Sequence, residues 1–114
     1  MRHIEPETTP HVLDVGTGTG RLPLALLQHA RFEGSIIALD ASTGMLKQAH
    51  QKITENHFED YVTFLHGDGT QLPFPDSSFD IVTCLEALEF MPHPEKGLAE
   101  LVRVLRPGGL LLTT

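Results

Sequence analysis

The stretch His11-Val12-Leu13-Asp14-Val15-Gly16-Thr17-Gly18-Thr19-Gly20 constrains this chain more than any other. A short apolar run meets three glycines spaced by two, and a helical pattern starts at once. The order predicts a strand, a tight backbone turn and a helix N-terminus. Glycine permits positive φ and lets a ligand approach the backbone closely. The unpaired N–H groups of a helix start suit a carboxylate, a phosphate or a hydroxyl-rich ligand. A glycine-rich turn by itself does not say which, so the rest of the chain must decide.

Strand and helix patterns alternate from there on. Arg21 to Arg31 reads as a helix with Leu22, Ala25, Leu26 and Ala30 inward, and Pro23 is tolerated in its first turn. Ser35 to Asp40 is apolar until its last residue, as expected of a strand covered on both faces. Ser42 or Thr43 caps a helix running to about Asn56, with Met45, Leu46, Ala49 and Ile53 inward. Val62 to His66 is a third strand, broken by Gly67-Asp68-Gly69, and Leu72-Pro73-Phe74-Pro75 is a stiff loop. Phe79 to Leu85 is a fourth strand. Glu95 to Leu105 is a helix with Leu98, Leu101, Val102 and Leu105 on one face, stopped by Arg106-Pro107-Gly108-Gly109. Leu110 to Thr114 is a fifth strand. No repeat or low-complexity segment interrupts the pattern. The alternation implies right-handed βαβ units and a parallel sheet, whose ligands bind at the carboxyl ends of the strands. Residues 1–10 read as a flexible lead-in and 11–114 as one domain.

Composition narrows the partners. The chain of 114 residues carries a net charge of −7 and no Lys/Arg cluster, which argues against nucleic acid and fits a small or cationic ligand. No apolar run approaches the roughly 20 residues of a membrane span. The single cysteine, Cys84, excludes an internal disulfide and fits a reducing, cytoplasmic setting.

Three carboxylates fall at the expected ligand end. Asp40 ends the second strand, where it can accept from two ribose hydroxyls or cap the next helix. Asp68, between glycines, can accept from an exocyclic amine or close an Asx-turn. Asp14 lies inside the first strand, beside the loop. The dinucleotide fingerprint G-x-G-x-x-G has a longer last gap than the G-x-G-x-G found here. A buried acid is also a poor neighbour for a pyrophosphate, whereas it suits an ammonium or sulfonium charge. A nicotinamide-dinucleotide site is therefore disfavoured.

The segments LDVGTGTGRLPLAL, IIALDAS, HGDGTQLPF, FDIVTCLEALEFMPHP and LAELVRVLRPGGLLL together resemble a class I S-adenosylmethionine-dependent methyltransferase, in order and spacing, from His11 to the end. The resemblance implies a Rossmann-like sheet of order 3-2-1-4-5 with helices on both faces, and S-adenosylmethionine as cofactor. Gly16, Thr17, Gly18 and Gly20 would wrap the methionine moiety, with Asp14 beneath. Asp40 would bind the ribose, with Ala41 and Met45 against the adenosine. Gly67, Asp68, Gly69 and Thr70 would surround the adenine, and Cys84 and Leu85 would line the methionine end through their backbone. Glu86, Glu89 and Phe90 would face a small-molecule acceptor. The loop is similar to that of ubiquinone-biosynthesis-type O-methyltransferases, where a histidine follows two acids and the trio is associated with a divalent metal. Here Phe90 replaces the histidine, so no metal is assigned, and no catalytic residue is legible. The family's later antiparallel strands and its leading helices have no counterpart, so the chain reads as a truncated core. Its fifth strand would be an open apolar edge that favours self-association. A non-catalytic binding module of the same fold is the alternative.

Overall fold

The computed structural model describes residues 10–29 and 32–114, so all but Pro10 of the lead-in expected over 1–10, and the end of the first helix at Ala30 and Arg31, lie outside the described residues. Five strands form one parallel sheet: β1 (His11–Val15), β2 (Ser35–Asp40), β3 (Val62–His66), β4 (Phe79–Cys84) and β5 (Leu105–Thr113), in the order β3-β2-β1-β4-β5. Three helices connect them: α1 (Arg21–Gln28), α2 (Thr43–Glu55) and α3 (Pro94–Val104). β3 and β4 are joined without a helix.

Alternate strand residues feed two cores. Val12, Ile36, Ala38 and Val62 pack with Leu27 of α1 and Ile53 of α2 on one face. Leu13, Val15, Leu39, Val82 and Cys84 pack with Leu101 and Val104 of α3 on the other. Burial on both faces is why the central strands are apolar almost throughout, as parallel sheets require.

The sequence reading differs from the fold at four places. α1 stops at Gln28, because His29 is already extended, and its buried residues are Pro23 and Leu27, flanked by half-buried Leu24 and Leu26. α2 is capped by Ser42, whose Oγ accepts from Met45 N at 3.2 Å, and Met45 is 42% exposed rather than inward. α3 buries Gly97, Leu101 and Val104, while Leu98 and Val102 face outward. The apolar row at 98, 102 and 105 lies beside the buried one on the helix surface, and spacing alone does not choose between adjacent rows.

β5 begins at Leu105, directly after α3, instead of at Leu110. Phe79 pairs with Leu105 and Ile81 with Leu110, so Arg106–Gly109 bulge out opposite the single residue Asp80. Asp80 holds the bulge. One carboxylate oxygen pairs with Arg106 Nε, and the other accepts from His11 N at 2.7 Å. Proline and glycine here mark a bulged strand rather than a loop before one. Among the described residues, no helix is long and apolar enough to cross a membrane.

Candidate functional site

A cleft of about 770 Å³ opens at the carboxyl ends of the strands, around the N-terminus of α1. Its floor is the glycine loop. Gly16, Gly18 and Gly20 have φ of 73°, 57° and 83°, a left-handed alternation that other residues adopt only under strain. Leu39 O accepts from both Gly16 N (2.8 Å) and Thr17 N (2.9 Å), so the end of β2 ties the loop down. A methyl group on Gly16 would come within 2.4 Å of the Ala87 Cβ, so the segment after β4 covers the loop closely.

Asp14 lies beneath the loop, 3% exposed. Its Oδ1 accepts from Thr83 Oγ1 at 2.6 Å. Burial raises its pKa above the ordinary 3.8, opposed by the Thr83 and Thr17 hydroxyls and reinforced by the Asp40 charge. Thr17 is also buried, at 7% exposed, and its hydroxyl makes no hydrogen bond of good geometry among the described residues. A buried acid with an unsatisfied hydroxyl beside it is a polar floor that a ligand can complete.

Asp40 performs two backbone tasks. Its Oδ2 accepts from Gly18 N and its Oδ1 from Ser42 N, each at 2.8 Å. Both oxygens keep a second lone pair for a ligand. Asp68 forms the Asx-turn: its Oδ1 accepts from Thr70 N and Thr70 Oγ1, both at 2.8 Å. These bonds lower its pKa. Its Oδ2 has no hydrogen bond among the described residues. Gly67 N donates to Asp40 O at 3.0 Å, which joins the two carboxylate-bearing turns.

Of the residues singled out by sequence, Asp14, Gly16, Thr17, Gly18, Met45, Leu85 and Glu86 line the cleft. Gly20 lies off it, packed against Ala49. Asp40 and the Gly67–Thr70 turn adjoin the cleft through the Gly18 and Asp40 backbone bonds. Cys84 is fully buried in the core, and burial, with the Asp14 charge, pushes its thiol up to about 11. No thiolate is available there at neutral pH. Glu89 and Phe90 sit on a short 3₁₀ turn, Leu88–Phe90, away from the cleft lining, and Phe90 is 79% exposed. Glu86 has φ of 59°, and its N donates to Thr114 Oγ1 at 2.7 Å. A left-handed non-glycine residue at a cleft is a strained position of the kind found at functional sites. Among the described residues, no three His, Cys, Asp or Glu side chains come together as a metal site.

Sequence reasoning missed three contributors. Arg21 and Lys52 line the cleft, and Lys52 Nζ donates to Thr19 Oγ1 at 3.4 Å. His66 Nε2 lies 3.0 Å from Ala41 O and fixes the backbone just past Asp40. Lys52 and His66 each make a contact between distant elements that no local pattern announces.

The chain belongs to the methyltransferase domain family, which matches residues 13–113. It is 39% identical over 112 residues to the demethylmenaquinone methyltransferase of Lactiplantibacillus plantarum, covering 98% of this chain and 47% of that protein. It is 36% identical over 101 residues to the ubiquinone/menaquinone biosynthesis C-methyltransferase UbiE of Stutzerimonas stutzeri, covering 89% and 40%. The chain thus spans less than half the length of these relatives. Among solved structures, the YcgJ protein from Bacillus subtilis superposes with a TM-score of 0.81 at 34% identity, covering 94% of this chain and 47% of that one. The [4+2]-cyclase SpnF gives 0.83 at 31% identity, covering 90% and 38%.

Proposed function

We propose that the chain is the cofactor-binding core of an S-adenosylmethionine-dependent methyltransferase acting on a small-molecule acceptor. The observation that carries this is the left-handed glycine loop closed over buried Asp14, with its Gly18 amide held by Asp40 from the end of the next strand. When bound, the cofactor supplies a methyl group already activated on a sulfonium. The loop and Asp14 then hold the cationic methionine end, with the Thr17 hydroxyl as a further contact. Asp40 holds the ribose hydroxyls, Met45 packs against the nucleoside, and Asp68 receives the adenine amine. Ala41, Gly67, Gly69, Thr70 and Leu85 complete the wall, while Cys84 is buried in the core and forms no part of the lining. Glu86 faces the acceptor. The residues act by holding nucleophile, methyl and sulfur in line and by excluding water, which needs no nucleophile from the protein. The net charge of −7 supports a small-molecule acceptor over nucleic acid. The lone thiol supports a cytoplasmic setting.

Calorimetry with S-adenosylmethionine, S-adenosylhomocysteine and NAD tests the reading: the first two bind and NAD does not. Binding of NAD alone overturns it. Asp40→Ala should weaken S-adenosylhomocysteine by about 1–3 kcal/mol; an unchanged affinity would remove Asp40 from the site. A second reading, a binding module that transfers no methyl group, is favoured by the close superposition on SpnF, a structure named as a cyclase. Turnover assays separate the two readings. The named activities of the relatives make a demethylmenaquinone-type ring the first acceptor to try, followed by phenols, amines and carboxylates.

A further inference from the structure

α3 contributes nothing to the cleft lining, yet its Glu100 and Arg103 hold the segment from Leu72 onward, just after Asp68, and Met91, ahead of α3, packs against Gly69 from another side. On one side, Glu100 Oε1 accepts from Leu72 N at 2.7 Å. Arg103 spans the following loop: Nη2 donates to Leu72 O (3.1 Å), Nη1 to Phe74 O (2.8 Å) and to Asp76 Oδ1 (2.9 Å), and Nε to Glu100 Oε2 (2.6 Å). On the other side, Met91 fills the gap between Gly69 and Gly97. A methyl on Gly69 would meet Met91 Cε at 2.6 Å, and one on Gly97 would meet its Sδ at 2.4 Å. The turn itself is short: Gln71 N donates to Asp68 O at 3.0 Å, one residue before Leu72.

An exposed ion pair contributes little by itself. This network differs because it satisfies three backbone groups of one loop, Leu72 N, Leu72 O and Phe74 O. A guanidinium fork can serve two carbonyls and two carboxylates at once, and a single ammonium cannot. We infer that Glu100 and Arg103 are positioning residues for the nucleobase end of the cleft, holding the Gly67–Leu72 turn so that the open oxygen of Asp68 selects a 6-amino purine over a 6-oxo purine. The inference rests on the cofactor reading above.

The test compares wild type, Arg103→Lys and Glu100→Gln, using calorimetry with S-adenosylhomocysteine and its 6-oxo (hypoxanthine) counterpart, together with amide hydrogen exchange. Wild type should prefer the 6-amino ligand roughly tenfold, the worth of one good hydrogen bond. Arg103→Lys should lose most of that preference by weakening the 6-amino ligand alone. Exchange should accelerate at residues 67–72 while β1 and β2 amides stay protected. Equal weakening of both ligands, an unchanged preference, or unchanged exchange in the turn overturns the inference. If Arg103→Lys does not fold, Glu100→Gln, which removes one arm only, carries the same comparison. If wild type binds neither ligand, the cofactor reading falls and the nucleobase role with it, while the exchange data still report whether the two residues hold the turn.

Discussion

Asp14 shows how a single residue sets function against stability. Its carboxyl is buried and its pKa raised, so the folded state binds a proton more tightly than the unfolded chain does. The penalty is absent below 3.8, where both states are protonated, and grows as pH rises above that value. Asp14→Asn keeps an acceptor for Thr83 and removes the charge. It should therefore raise the midpoint of thermal unfolding at pH 7, with the gain vanishing below about pH 3.8. It should also weaken a cationic ligand. A variant equally stable at both pH values would show that burial is not the cause. This residue was visible in the sequence because it interrupts an apolar strand beside a glycine loop. Asp80, Glu100 and Arg103 were not, because charged residues on a helix or a half-buried strand look alike whether they are solvated or bonded across the fold.

The elements divide along the same line. β1 and β3 have the ends expected from sequence, since a glycine closes each one. β2 ends where its apolar run does. α3 and β5 were harder. The choice of buried row on α3 depends on where the sheet lies, and the bulge in β5 depends on Asp80 as a partner 26 residues upstream of Arg106. The helix offers a direct check. Leu101→Ala, at a fully buried site, should cost about 2–5 kcal/mol in urea unfolding. Val102→Lys, 56% exposed, should stay within about 0.5 kcal/mol. Similar costs at the two positions would favour the row first read from spacing.

At the scale of the molecule, β5 pairs with β4 alone among the described residues, and Leu110 and Leu112 are 51% and 45% exposed on it. An edge with unpaired backbone groups and apolar side chains invites pairing with another strand. The chain should therefore self-associate, and light scattering at high protein concentration should show a mass above the monomer. A strictly monomeric species would contradict this. The cleft lining around the glycine loop, Asp14, Gly16, Thr17 and Gly18, was readable from the sequence because it is built from a strand end and the turn right after it. The residues expected to face an acceptor were less legible: Glu86 lines the cleft, whereas Glu89 and Phe90 are not among its lining residues.

The bond from Gly18 N to Asp40 gives the site a built-in reporter. One amide proton at the centre of the loop points at the carboxylate expected to receive a ribose. Any ligand that draws on that carboxylate must alter the electron density around this proton. The Gly18 cross-peak in a nitrogen–proton correlation spectrum should therefore move early in a titration, ahead of resonances in α3, and its displacement would rank ligands by how they engage the ribose end without an activity assay.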